Sequence, residues 1–154
     1  MAIKIISGGQ TGVDRAALDA ALSANVPCGG SCPAGRMAED GNIPYHYPVV
    51  ELAGADYDRR TEQNVIDSHA SLIIYFSHLF GGTLKTLEYC QQHRKPYLLL
   101  DGDSVNSSQA AQRITDFVQR HSVACLNVAG PRANDAENAY EFTLQAVKKF
   151  LATR

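Results

Sequence analysis

Four strand-length apolar runs that do not alternate with polar residues set the tightest limit on the fold. Ala2–Ile6, Leu72–Phe76, Tyr97–Leu100 and Ala124–Val128 are nearly continuous in hydrophobic character. A strand with one wet face alternates; runs like these require cover on both faces. Helical periodicity fills the gaps between them. Val13–Ala24 repeats Ala17/Ala21 and Leu18/Leu22 at i, i+4, and Tyr57, Thr61 and Val65 share a second helical face. Thr83–His93 packs through Leu84 and Leu87. Ala110, Ile114, Phe117 and Val118 mark a fourth helix, and Tyr140, Leu144, Val147 and Leu151 a fifth. This order predicts an α/β fold, a Rossmann-like three-layer sandwich with a mostly parallel central sheet and helices on both faces. One domain over residues 1–154 accommodates it. Val49–Leu52 reads as a weaker fifth strand, and Val26–Gly29 as a brief extended stretch.

Charge and apolar length exclude several classes of partner. Fourteen Lys and Arg against sixteen Asp and Glu leave a net charge of −2, with no run of five like charges. That is not the footprint of a nucleic-acid binder. No apolar stretch approaches a membrane span, and MAIKIIS is too short for a leader, so a cytoplasmic protein is expected. In such a setting Cys28, Cys32, Cys90 and Cys125 are expected as reduced thiols. Cys28 and Cys32 are spaced C-x3-C with His46 beyond, but no second close pair completes a zinc site, so no metal is expected.

In open α/β sheets ligands collect beyond the carboxyl ends of the strands. Three such ends carry unusual loops: SGGQTG after the first run, HLFGGT (His78–Thr83) after the second, and AGPR (Ala129–Arg132) after the last. The first two lead straight into helices, where free N–H groups and the macrodipole favour an anion. The spacing fits neither a P-loop, because Val13-Asp14 stands where Lys-Ser/Thr is needed, nor G-x-G-x-x-G. Thr11 and Asp14 form a T-x-x-D capping pattern. Arg15, unfavourable near a helix N-terminus, calls for a partner, with Asp19 one turn on. The segment Pro27–Pro48 reads as a long ligand-facing loop. It carries Arg36, Glu39 and Asp40 as GRMAEDG. Arg132 is the best placed residue for direct oxyanion contact. Thr61 and Asn64, at i, i+3, are candidates to line the pocket. Glu88, five residues past Thr83, is the candidate catalytic carboxylate should the site hydrolyse a glycoside.

Taken in order, ISGGQTGVDRAALDAAL, GGSCPAGRMAEDGNIP, YDRRTEQNVIDSHASLII, GGTLKTLE and NVAGPR resemble the putative molybdenum carrier family, also described as a circularly permuted, YpsA-like branch of the SLOG superfamily. The resemblance covers nearly the whole chain. It implies a Rossmann-like, homo-oligomeric protein that binds a nucleotide-derived ligand. Gly8, Gly9, Gln10, Thr11, Gly12, Asp14 and Arg15 would form one wall. Gly35, Arg36, Glu39 and Asp40 would form a second, and Gly81, Gly82, Thr83 and Glu88 an oxyanion cradle. The resemblance also suggests the molybdenum cofactor, molybdate or a nucleotide as the ligand; for a ligand with a ring, a tyrosine or His46 is the expected stacking partner. The superfamily includes phosphoribohydrolases with a PGGxGTxxE signature; FGGTLKTLE departs from it. The functional alternatives are therefore an anionic-ligand binding protein, an N-glycoside hydrolase using Glu88, or a nucleotide sensor.

Overall fold

The computed structural model describes residues 2–54 and 56–154. In chain order the elements are β1 (Lys4–Ile6), α1 (Val13–Ser23), β2 (Cys28–Gly29), β3 (Ser31–Cys32), β4 (Met37–Ala38), β5 (Gly41–Asn42) and β6 (Val50–Glu51). They continue with α2 (Tyr57–Asp67), β7 (Ala70–Tyr75), α3 (Gly81–Gln92), β8 (Tyr97–Asp101), α4 (Ser107–His121), β9 (Cys125–Ala129) and α5 (Ala139–Ala152). The central sheet runs β2-β1-β9-β7-β8, every neighbouring pair parallel. From β1 the chain steps outward to β2, and from β7 it steps the opposite way to β8. A crevice therefore opens at the carboxyl ends of the middle strands, where the order reverses.

The continuous apolar runs are explained by cover on both faces. Leu72 and Ile74 of β7 join Ile5, Leu126 and Val128 in a core closed by α1, α4 and α5. Ile73, pointing the other way, packs with Val65 of α2 and Cys90 of α3. On that second face Asn127 Nδ2 donates to Ser71 Oγ at 3.0 Å, a buried polar pair across β9 and β7. Ala16, Ala17, Ala20 and Ala21 are buried on α1, and their small side chains let α5 pack closely on it.

Two expectations need correction. The fifth strand of the main sheet is Cys28–Gly29; Val50–Glu51 instead pairs with Ser31–Cys32 in a separate two-stranded sheet. Gly30, at φ 129°, turns the chain between the two pairings. The segment Pro27–Pro48 is no open loop. It folds over its own small core of Cys32, Ile43, Tyr47 and Val49 against Leu18. All four cysteines are unbridged.

Beyond the crevice, Asp101 ties the ends of β7 and β8 together. Its carboxylate accepts from the N–H groups of Ser77 and Asp103, both at 2.9 Å, and from Ser104 Oγ at 3.0 Å. Those amide donors hold its pKa below the usual carboxylate value. A depressed carboxylate stabilises the fold above its unfolded pKa, ~3.9, and loses that contribution as pH falls through the lower folded value. Asp101→Asn should therefore flatten the acid limb of a denaturation-midpoint profile below about pH 4. An unchanged acid limb would count against this tie.

Candidate functional site

A cavity of about 400 Å³ lies at the carboxyl ends of β1, β9 and β7, within the range of small-molecule sites. One wall is the first turn of α2, with Tyr57, Asp58, Arg60 and Thr61. Opposite stand Phe80 and the first turns of α3, and the base is formed by Gln10, Asp14 and the loop Ala129–Arg132.

The first glycine loop does not present its amides to this cavity. Its N–H groups turn inward around the chain's own Asp14. Gln10 N–H donates to Asp14 Oδ2 at 3.2 Å, Gly8 N–H also donates to the carboxylate, and Arg60 Nη1 completes the set at 3.2 Å. Burial pushes the Asp14 carboxyl upward against the pull of Arg60 and these amides. The capping box is not formed. Gly12 takes the N-cap at φ 81° with no side-chain cap bond. Thr11 Oγ1 instead donates to Glu39 Oε1 and accepts from Ala133 N–H at 3.2 Å. The pattern of residues was right for a box, but a positive-φ glycine redirects the entering chain. The amide of Val13 goes to Pro131 O at 3.2 Å.

The second glycine loop is open. Gly81 and Gly82 are not loop residues but the first turn of α3, which has no side-chain cap at Phe80. The first intrahelical bond is Leu84 N–H to Phe80 O, so the amides of Gly81, Gly82 and Thr83 have no helical acceptor. A Cβ on Gly82 would meet nothing within 4 Å, and Gly82 has no positive φ. Packing therefore gives no reason for glycine at 82; the space beside it belongs to the cavity.

Four arginines have distinct fates. Arg60, which the sequence did not single out, lines the cavity with its side chain 13% exposed. Its Nε is buried and has no hydrogen-bond partner. Gly8 makes room for it: a Cβ there would collide with the Arg60 guanidinium. Arg132 reaches the cavity, held by Asp135 at 3.0 Å and Glu39 at 3.4 Å. Arg15 is paired not with Asp19 but with Asp40, through two bonds of 2.5 and 2.8 Å, and its Nε donates to Gly9 O. Asp19 instead accepts from Tyr140. Arg36 is buried away from the cavity. Its guanidinium donates to the carbonyls of Ile43, Pro44, Tyr47 and Val49 at 2.8–3.1 Å.

Of the expected binding residues, Gln10, Asp14, Thr61, Gly81, Gly82, Thr83 and Arg132 line the cavity. Gly8, Gly9, Thr11, Gly12, Arg15, Gly35, Arg36, Glu39, Asp40 and Asn64 support it from behind or lie outside it. Gln10 Oε1 accepts from Thr11 and Glu39 N–H, so the side chain ties the first loop to the β4–β5 hairpin. Asn64 exchanges two bonds with the backbone of Ser31, fastening α2 to β3. Glu88 is exposed on α3 and outside the lining; the carboxylates at the cavity are Asp14, Asp58 and Asp135. His46 stacks on Tyr47, and the aromatic rings at the cavity are Tyr57 and Phe80. Tyr57 was expected only as part of an inward helical face, and Asp58 and Arg60 carried no signal, because a polar helix start such as YDRRTEQ reads as a solvated face. Only the fold turns it toward Asp14.

Comparison with known families agrees with this architecture. Residues 5–151 match the "Circularly permutated YpsA SLOG family". The chain belongs to this family. It is also similar to a solved protein of Syntrophus aciditrophicus, named there "Putative molybdenum carrier protein". The two share 43% identity and a TM-score of 0.94, over 97% of this chain and 95% of the other. No curated protein matches the sequence. The family match spans both glycine loops, the folded 27–48 segment and α2, and so takes in every wall of the cavity.

Proposed function

We propose that this protein binds an anionic, nucleotide-like small molecule and carries it, with molybdenum cofactor or molybdate as the cargo suggested by the name of its structural relative. The observation that carries the reading is the uncapped first turn of α3, whose Gly82 leaves space that the packing does not require. An oxyanion there would meet free amides and the positive end of the helix. Arg60 lines the cavity beside Asp14, and Tyr57 and Phe80, 41% and 50% exposed, supply ring faces for a heterocycle. The donor set is amides, threonine hydroxyls and guanidinium; among the described residues no group of three His, Cys, Asp or Glu is placed to hold a metal ion. That chemistry fits hydrogen bonding to oxyanion oxygens, with molybdenum arriving as part of the cargo. The hydrolase alternative is not favoured, since Glu88 lies outside the cavity.

Calorimetric titration with molybdate, guanosine 5′-monophosphate and molybdenum cofactor tests the proposal. No binding at millimolar concentration by any of them overturns it. Gly82→Ala places a methyl group in the open space and should weaken binding by at least about tenfold, ~1.4 kcal/mol. Stability should hold or rise, because alanine is favoured over glycine in a helix by up to ~1 kcal/mol. Equal affinity in the variant would move the ligand away from α3.

A further inference from the structure

The charges around the cavity are nearly all spoken for. Arg60 answers Asp14 at 3.2 Å, and Arg132 answers Asp135 at 3.0 Å with Glu39 behind it. Three donors converge on the Asp14 carboxylate, so it stands as the counter-ion of Arg60. Two features are left over. One is the positive end of α3, equivalent to about half an elementary charge. The other is Asp58, which has no ion-pair partner among the described residues and lines the cavity from the opposite wall. A cavity built this way is not a general anion trap.

We infer that the site selects a ligand with a single oxyanionic group and a hydroxyl or amino donor, and that Asp58 and Asp135 are specificity-determining residues that reject polyphosphates. The single oxyanion sits at Gly81–Thr83, and the donor group faces Asp58. A second or third phosphate finds no unpaired cation in the cavity lining and lies near carboxylates instead. Both carboxylates are exposed at the rim of the cavity, so the repulsion is a surface effect that is strongest at low ionic strength. The inference rests on the binding reading above and sharpens it.

The test is a titration series with one base: guanosine, its 5′-monophosphate, diphosphate and triphosphate, without added divalent cation. The monophosphate should bind tightest, with the triphosphate at least tenfold weaker. Asp58→Asn keeps an acceptor while removing the charge, and so does Asp135→Asn. Each should raise triphosphate affinity severalfold relative to monophosphate affinity, so that the preference for the monophosphate falls, with thermal melting confirming the fold. Asp58→Asn is the cleaner variant, because Asp58 has no partner to orphan. A triphosphate that binds the parent protein as tightly as the monophosphate overturns the charge selection and leaves the binding reading intact. Unchanged triphosphate affinity in both variants overturns the role of the two aspartates. Binding by none of the four compounds removes the nucleotide-like reading and this inference with it.

Discussion

Arg36→Met should destabilise the protein by about 3–5 kcal/mol, a large part of the ~5–15 kcal/mol that holds a domain of this size together. The side chain is 7% exposed and donates to four carbonyls of the stretch from Ile43 to Val49, of which Pro44 O also accepts from Tyr47 N–H. Hydrogen bonds to a charged donor contribute ~1.5–3 kcal/mol each, and buried acceptors left bare add a penalty. Relaxation and water entry at the edge of the segment reduce the sum to the figure given. The loss should be local before it is global. Amides of Ile43, Val50 and Leu52, which bond to Arg36, Gly30 and Cys32, should exchange much faster, while those of β7 and β8 stay protected. Arg36→Lys should recover only a fraction, because an ammonium cannot span four acceptors in one plane. A denaturation midpoint within error of the parent would defeat this account and return Arg36 to the candidates for ligand contact.

Gly12→Ala should be comparably severe, and for a different reason. Gly12 has φ 81° and ψ −126°, and an added Cβ would lie 2.5 Å from Pro131 O and 2.8 Å from both Ala133 N and Arg132 C. The backbone conformation alone costs an L residue ~1–3 kcal/mol, and the contacts are with main chain that cannot swing aside. Adding ~1–3 kcal/mol for overpacking gives a total of roughly 2–6 kcal/mol. For a chain of this length that lowers the melting temperature by roughly 4–24 °C. The same clash pushes the Ala129–Arg132 loop outward, so ligand affinity should fall along with stability. A variant that melts with the parent would mean that the two loops are not in contact at Gly12.

These cases also show how far the sequence could be read. The central sheet was legible because β7, β8 and β9 are covered on both faces, and continuous hydrophobicity records that directly. The weak strands were not. Cys28–Gly29 and Val50–Glu51 are two residues each, and which one joins the sheet depends on the turn at Gly30 rather than on pattern. The glycine loops marked the end of the sheet at which the cavity lies, but not which of them turns its amides inward. Nothing local in GGQTGVD says that Asp14 turns back onto the amides before it. Arg60 stands forty-six residues away from that carboxylate, and a polar helix start carries no mark of a distant partner. Arg36 was misjudged by treating a charged residue in irregular chain as available. An irregular segment has carbonyls that need donors, and a buried arginine is an efficient one.

The inward-facing loop around Asp14 gives the protein a built-in occupant. In a phosphate-binding turn the amides wait for an anion from solution; here covalent attachment supplies one at an effective concentration no free ligand can match. The two glycine loops thus differ: the first spends the amides of Gly8 and Gln10 on Asp14, and the second leaves those of Gly81, Gly82 and Thr83 without a helical acceptor. The self-filled loop leaves Gln10 and Asp14 as part of the cavity's base, so a phosphate ion in solution should not compete for the amides that Asp14 already holds.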